Sequence, residues 1–126
     1  MNWYTARALM RCDVAGRAHS FEETYVLVYA DSAGDALRAA RRACKANELD
    51  YQNAQHEPVK CRLSRVLDVV EIVPDNLGHG TEVYWRPLTV AEGERLLAAA
   101  RNSGRRRCRS SDRQALRAAR GSYRRE

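Results

Sequence analysis

The chain has 126 residues and a net charge of +6, which fits one small domain with an appendage. No stretch approaches the roughly 20 consecutive apolar residues that a transmembrane helix needs. The sequence also shows neither a secretory signal nor a Cys-x-x-Cys pair. We therefore expect a cytoplasmic protein that has no membrane partner and no disulfide framework.

The first predicted elements are two β-strands. Residues 2–14 alternate between apolar and polar side chains, and residues 21–30 contain an uncharged core from Tyr25 to Tyr29. Alternation with a period of two is typical of a half-buried strand. Residues 15–20 have the composition of a turn, so the two strands are expected to form a long hairpin.

Residues 33–46 have the pattern of an amphipathic helix. Asp31 or Ser32 can supply the N-cap, and apolar residues such as Leu37 and Cys44 recur on one side. That small apolar side is expected to lie on the sheet. Four cations lie away from it: Arg38, Arg41, Arg42 and Lys45.

The next segment is predicted to be a loop followed by a central strand. Residues 48–60 are polar and include a proline, as loops do. Residues 61–73 are apolar on both faces in their second half, which favours a position inside the sheet.

Residues 74–80 contain two glycines and predict a turn, and residues 81–88 alternate as a fourth strand. Pro87 fits the end of that strand or a sheet edge. Thr89 and Glu92 have the spacing of a capping box, so a short helix is expected to run to about residue 102.

This order of elements predicts an α+β fold. We expect a four-stranded, mostly antiparallel sheet in β-β-α-β-β-α order, with helix packed on one face. The expected domain covers residues 1–102. Residues 103–126 form an arginine-rich tail, in which residues 111–120 are expected to make a short helix because Ser111 and Gln114 repeat the capping-box spacing.

Several motifs, in the same order and spacing, resemble a family of bacterial domains of unknown function, number 4288. They are Trp3-Tyr4-x-Ala6, Glu22-Glu23 leading into Tyr25-Val26-Leu27-Val28, Ala30-Asp31-Ser32 before Asp35-Ala36, Leu67-Asp68-Val69 with Glu71, and Gly80-Thr81-Glu82-Val83-Tyr84. The resemblance covers about residues 3–86. It implies a small bacterial α+β module, and it supplies no activity and no catalytic residue.

The basic charge is concentrated in the tail. Residues 1–100 contain twelve Lys or Arg and fourteen Asp or Glu, a net of −2, whereas residues 101–126 contain ten Arg and two acids, a net of +8. Such a contrast predicts an anionic partner, either RNA or DNA backbone or an acidic protein, although a tail that only confers solubility has the same composition. The predicted anion-binding residues are Arg105, Arg106, Arg107, Arg109, Arg113, Arg117 and Arg120.

A second candidate surface is a face of the sheet. Neighbouring aromatic residues point to opposite faces, so one of each pair lies off the main core. That face could stack RNA bases, contact a protein partner or a second copy in a homodimer, or form a second small core. The candidate interface residues are Trp3, Tyr4, Tyr84, Trp85, Asp68, Glu71 and Glu82.

We therefore expect a non-catalytic interaction module without a cofactor or metal. The alternative is an immunity- or inhibitor-type protein that binds its partner through the sheet domain. A metal-dependent nuclease using Asp68 and Glu71 is a third hypothesis, but these acids lack the tight spacing of such sites. The three histidines fall in predicted loops without ligand-pair spacing, which does not favour a metal site.

Overall fold

The alternating segment at the N-terminus forms the middle of the sheet in a computed structural model that describes residues 1–73 and 77–103. The four strands are β1 (Asn2–Val14), β2 (Arg17–Ala30), β3 (Leu49–Gln52) and β4 (Pro58–Glu71). They pair antiparallel in the order β2-β1-β4-β3. The helices are α1 (Ala33–Ala46) and α2 (Val90–Ser103). The α+β class and the β-β-α-β-β-α order are confirmed.

Small side chains bring α1 close to the sheet. Ala36 and Ala40 of α1 and Ala6 and Ala8 of β1 are fully buried in one apolar cluster. Because an alanine extends only one carbon from the backbone, helix and sheet can approach closely without leaving a void. The helix begins as predicted at its N-cap, where the Ser32 hydroxyl accepts a hydrogen bond from the Asp35 backbone N–H.

The hairpin between β1 and β2 is tighter than predicted. Strand pairing continues to Val14 opposite Arg17, so only Ala15 and Gly16 form the turn. Both have positive φ, 52° for Ala15 and 78° for Gly16. Two such residues in a row give the type I′ geometry whose twist matches that of antiparallel strands.

The predicted loop over residues 48–60 is wrong in part. Leu49–Gln52 forms β3, and β4 begins at Pro58 rather than at residue 61. Pairing between the two strands outweighs the polar composition, because Leu49 becomes buried and Asn53 closes the turn. The Asn53 side-chain oxygen accepts hydrogen bonds from the backbone N–H groups of Gln55 and Glu57.

The predicted strand over residues 81–88 is also wrong, because the structure has no strand in residues 77–89. The fourth strand of the sheet is β3 instead. The alternation of residues 81–88 does not produce a strand, because Tyr84 packs on the face of the sheet. Its ring contacts Tyr25 of β2, and its hydroxyl donates to Asp68 of β4. A segment held over the face cannot also extend the hydrogen-bonded edge.

The chain divides into two compact units, Met1–Trp85 and Arg86–Glu126. In the second unit, α2 begins at the predicted cap, where the Thr89 hydroxyl accepts a hydrogen bond from the Glu92 backbone N–H. The predicted tail helix over residues 111–120 lies outside the described residues. Neither α1 nor α2 is long and apolar enough to cross a bilayer.

Candidate binding surface on the open face of the sheet

The side of the sheet opposite α1, here called the open face, is defined by the strand register. Residues directly opposite each other on antiparallel strands point to the same side, so the buried Ala6 and Ala8 fix the orientation of their neighbours. The open face comprises Trp3, Thr5, Arg7, Leu9 and Arg11 of β1, Phe21, Glu23, Tyr25, Leu27 and Tyr29 of β2, and Asp68 and Val70 of β4.

Arg7 is the central charged residue of the open face. Its Nη1 atom lies 3.6 Å from a carboxylate oxygen of Glu23 on β2, and its Nε atom lies 3.6 Å from Asp68 Oδ1 on β4. A register shift after Arg7 aligns Asp68 with Arg7 and Val66 with Ala8, so a bulge accommodates the extra residue. One guanidinium therefore links the three neighbouring strands.

Two tyrosines complete this group, here called the Arg7 cluster (Arg7, Glu23, Tyr25, Asp68 and Tyr84). The Tyr25 hydroxyl donates to Glu23, and the Tyr84 hydroxyl donates to Asp68 Oδ2 at 2.7 Å. The two rings meet edge to face with their centroids 5.0 Å apart. Tyr84 thus bridges from β2 to β4 across β1 and helps to shield Arg7, whose side chain is 17% exposed.

The protonation of Tyr25 follows from these contacts. Its hydrogen bond to Glu23 raises the pKa of the Tyr25 phenol to about 12, and partial burial and the Glu23 charge add to the effect, while Arg7 opposes it. Tyr25 therefore stays protonated at neutral pH and acts as a hydrogen-bond donor. Each carboxylate of the cluster is held by one arginine and one phenol, an arrangement typical of a structural network.

Beside the cluster, β2 carries a row of exposed apolar side chains. Phe21, Leu27 and Tyr29 are each about half exposed, at 56%, 47% and 51%. Trp3 of β1 lies against Tyr29 with ring centroids 5.0 Å apart. Isolated surface apolar residues are ordinary, whereas several on one face of a sheet are typical of interaction surfaces.

The seven candidate interface residues lie in different parts of the structure. Trp3, Tyr84 and Asp68 lie on the open face. Tyr4 does not belong to a surface, because it packs in the core under α1 with 6% of its area exposed. Burial, followed by the nearby charge of Glu71, raises the pKa of the Tyr4 phenol.

Glu71 lies at the end of β4, where it accepts a hydrogen bond from the Asn2 side chain. Trp85 and Glu82 are exposed in the irregular segment after β4, Trp85 at 59%. The sequence identified Asp68 as a candidate interface residue, but Glu23 and Tyr25 were not among the predicted site residues. Their spacing of two residues on β2, which places them on one face, was the signal that could have identified them.

The outer side of α1 is a basic surface of the first unit. Arg41, Arg42 and Lys45 are exposed on the side away from the core and are here called the α1 cations. Arg38, one turn earlier, donates to Asp35. This bond and the Ser32 hydroxyl hold the pKa of the Asp35 carboxyl below its usual value.

Within residues 1–73 and 77–103, no group of three or more His, Cys, Asp or Glu side chains is placed to hold a metal ion. The seven predicted anion-binding arginines, from Arg105 to Arg120, lie outside these ranges.

Residues 3–85 match the family described as "Domain of unknown function (DUF4288)". No curated protein and no solved structure matches the chain. The matched region ends at the boundary of the first compact unit and includes every residue of the Arg7 cluster. The arginine-rich tail lies beyond it.

Proposed function

This chain belongs to the DUF4288 family, and we propose that it is a non-catalytic bacterial interaction module whose arginine-rich tail binds the phosphate backbone of a nucleic acid. The observation that carries the proposal is the division of charge, with a net of −2 over residues 1–100 and +8 over residues 101–126. A guanidinium presents a planar set of hydrogen-bond donors that matches the oxygens of a phosphate. The 26 residues of the tail from residue 101 onwards contain ten arginines.

Binding of this kind follows the backbone and not the base sequence. The tail has one aromatic residue, Tyr123, so it offers little stacking on bases. RNA and DNA of equal length are therefore expected to bind with similar affinity. The proposal places the module in the cytoplasm, where nucleic acid is abundant.

The proposal assigns a supporting role to the Arg7 cluster. Its arginine and carboxylates are engaged with one another, and its phenols are engaged with the carboxylates. A phenol with a pKa of about 12 is a poor general acid or base at neutral pH. The cluster therefore serves to fix the shape of the open face.

The test compares two sets of charge-neutralising substitutions in the full chain. Replacing Arg105, Arg106 and Arg107 by Gln should weaken binding to a fluorescent duplex by about tenfold or more at low salt. The matched control replaces the three α1 cations by Gln and removes the same charge from the body. Equal losses in the two variants, or no loss in the tail variant, would contradict the proposal.

A specific observation favours a second candidate function, in which the open face binds a partner protein as an immunity or inhibitor protein does. Phe21, Leu27 and Tyr29 are each about half exposed on one face of β2, and exposed aromatic and apolar side chains are typical of interface centres. The fitting partner has an exposed apolar patch of its own.

This candidate has its own discriminating experiment. A partner that co-purifies in stoichiometric amount should be lost when Leu27 and Tyr29 are replaced by Ser and retained when Arg105, Arg106 and Arg107 are replaced by Gln. The control replaces Leu67 and Val73, which are exposed on the same unit at 39% and 85%, by Ser. A partner that is lost only from the tail variant would exclude the open face as its binding site.

A further inference from the structure

Among the described residues, two buried cysteines lie directly opposite each other on neighbouring strands. Cys12 of β1 is the register partner of Cys61 of β4, although the two are 49 residues apart in the sequence. Both are thiols in the structure, and they are only 3% and 1% exposed. They pack in one apolar cluster with Leu49 and Val59, whereas Cys44 belongs to the cluster under α1.

The backbone hydrogen bonds of β1 and β4 determine how close the two cysteines lie. The Ala15 N–H donates to the Pro58 carbonyl, which extends the register of the two strands by one position. Hydrogen-bonded and non-hydrogen-bonded positions alternate along an antiparallel pair. Three positions further along β1, Cys12 and Cys61 therefore occupy a non-hydrogen-bonded position.

The pairing of β4 with β3 leads to the same assignment. The Asn53 N–H donates to the Glu57 carbonyl, and alternation from there makes Leu49 and Cys61 a hydrogen-bonded pair. The backbone N–H and C=O of Cys61 thus point to β3 and not to β1. Residues at a non-hydrogen-bonded position have Cα atoms about 4.5 Å apart, within the range of roughly 4.4–6.8 Å that a disulfide spans. A bond between Cys61 and Cys12 therefore fits the backbone.

We propose that Cys12 and Cys61 are a redox modification site, which hydrogen peroxide converts to a reversible disulfide in the folded protein. Peroxide oxidises one thiol to a sulfenic acid and releases one water, and the other thiol attacks that sulfur, forms the S–S bond and releases a second water. The two thiols lose two electrons and two protons, and both oxygens of the peroxide become water. A thiol reductant reverses the reaction by thiol–disulfide exchange. This inference goes beyond the proposed function and does not depend on it.

Access of the oxidant to the pair depends on β3. This strand has only four residues and lies at the edge of the sheet. Its Leu49 is buried in the same cluster as the two cysteines, and Tyr51 packs against that cluster. Short elements with few buried contacts open at a lower free energy than the whole fold. We therefore expect peroxide to reach the thiols when β3 opens, while β1 and β4 stay paired.

The disulfide has a measurable effect on stability. A bond between residues 12 and 61 closes a loop that contains β2, α1 and β3. Because a cross-link over about 50 residues restricts the unfolded chain, we expect the melting temperature to rise by roughly 10 °C. Disulfides in a reducing cytoplasm are usually transient and redox-sensing, which agrees with a reversible bond.

The first test maps the bond in the full chain with Cys108→Ser, which removes the cysteine of the tail. After treatment with hydrogen peroxide and blocking of the remaining thiols, trypsin should release residues 12–17 linked to residues 61–62. Dithiothreitol should separate the two peptides and return the melting temperature to that of the reduced protein. Absence of the linked peptide, or oxidation of both thiols only to sulfinic or sulfonic acids, would overturn the proposal.

Two variants control for the partner of the bond. Cys44→Ala removes a buried thiol from the other cluster and should leave the yield of the linked peptide unchanged. Cys61→Ala should abolish both the linked peptide and the rise in melting temperature. A rise that persists in Cys61→Ala, or disulfides to Cys44 in equal yield, would contradict the assigned pair.

The second test separates oxidation of the folded protein from oxidation after unfolding. Leu49→Ala loosens β3 and should speed formation of the linked peptide severalfold. The control, Val28→Ala, shortens a core residue of the other cluster and should have a smaller effect. Circular dichroism verifies that both variants are folded. Equal acceleration would overturn the proposal, because it would show that the thiols react only when the whole fold opens.

Discussion

Arg7 has a side chain that is 17% exposed and lies between two carboxylates, which together balance its positive charge. Replacing Asp68 by Asn keeps the shape and the acceptor for Tyr84 but removes one negative charge. We expect the free energy of unfolding to fall by about 1–3 kcal/mol, because a largely buried guanidinium loses a partner. Asp50→Asn, which breaks a surface pair with Arg62, is the control and should cost less than about 1 kcal/mol in the same urea titration. Equal losses of stability in the two variants would show that the pair of Arg7 and Asp68 contributes no more than an exposed surface pair.

Tyr25 gives the molecule a dependence on alkaline pH. Its pKa in the folded chain is about 12, above the ordinary value of 10.0, because its hydroxyl donates to Glu23. The folded state therefore holds this proton more tightly than the unfolded state does. The stabilisation is complete below pH 10 and is lost as the pH rises towards 12. Between pH 10 and 12, the denaturation midpoint should fall less steeply in Tyr25→Phe than in the unmodified protein. In an absorbance titration, Glu23→Gln should lower the pKa of the Tyr25 phenol.

The turn of the first hairpin contains a correctable backbone strain. Ala15 has a φ of 52°, a left-handed conformation that costs an alanine about 1 kcal/mol and that asparagine adopts more readily. Ala15→Asn is therefore expected to raise the free energy of unfolding by roughly 0.5–1 kcal/mol. Ala18→Asn, in the adjacent strand, should give no such gain, since asparagine is disfavoured in extended backbone. A thermal or urea melt of the two variants measures the difference, and a loss of stability in Ala15→Asn would contradict the assigned turn.

Elements with a strong local pattern could be predicted, and those that depend on distant contacts could not. The periodicity and the cap of α1 gave its bounds correctly, and the alternation of β1 did the same. By contrast, β3 has only Leu49 buried, and it exists because β4 pairs with it. Residues 81–88 have the alternation of a strand, but the partners of Tyr84 lie on the sheet face. Asp68 could be identified from the sequence as a charged residue inside a strand, whereas its contact with Arg7 and the contact of Arg7 with Glu23 required the register of the three strands.

At the scale of the whole molecule, the family domain and the basic tail are separate features. The family match covers residues 3–85, the first compact unit ends at Trp85, and the positive charge begins at residue 101. Each region can therefore act on its own partner. We propose phosphate contacts for the tail, and the open face is the candidate surface for a protein partner.

The salt dependence of binding measures how many phosphates the tail contacts. If six of its ten arginines each neutralise one phosphate of a DNA duplex, the logarithm of the binding constant should fall with the logarithm of salt concentration at a slope of about −5. Replacing Arg105, Arg106 and Arg107 by Gln should reduce the slope to about −3, because three fewer counterions are released. Replacing the three α1 cations by Gln should leave the slope at about −5. Anisotropy titrations over a series of salt concentrations provide both values. An equal change of slope in the two variants would contradict the proposal, because it would show that the α1 cations contact phosphate as much as the tail does.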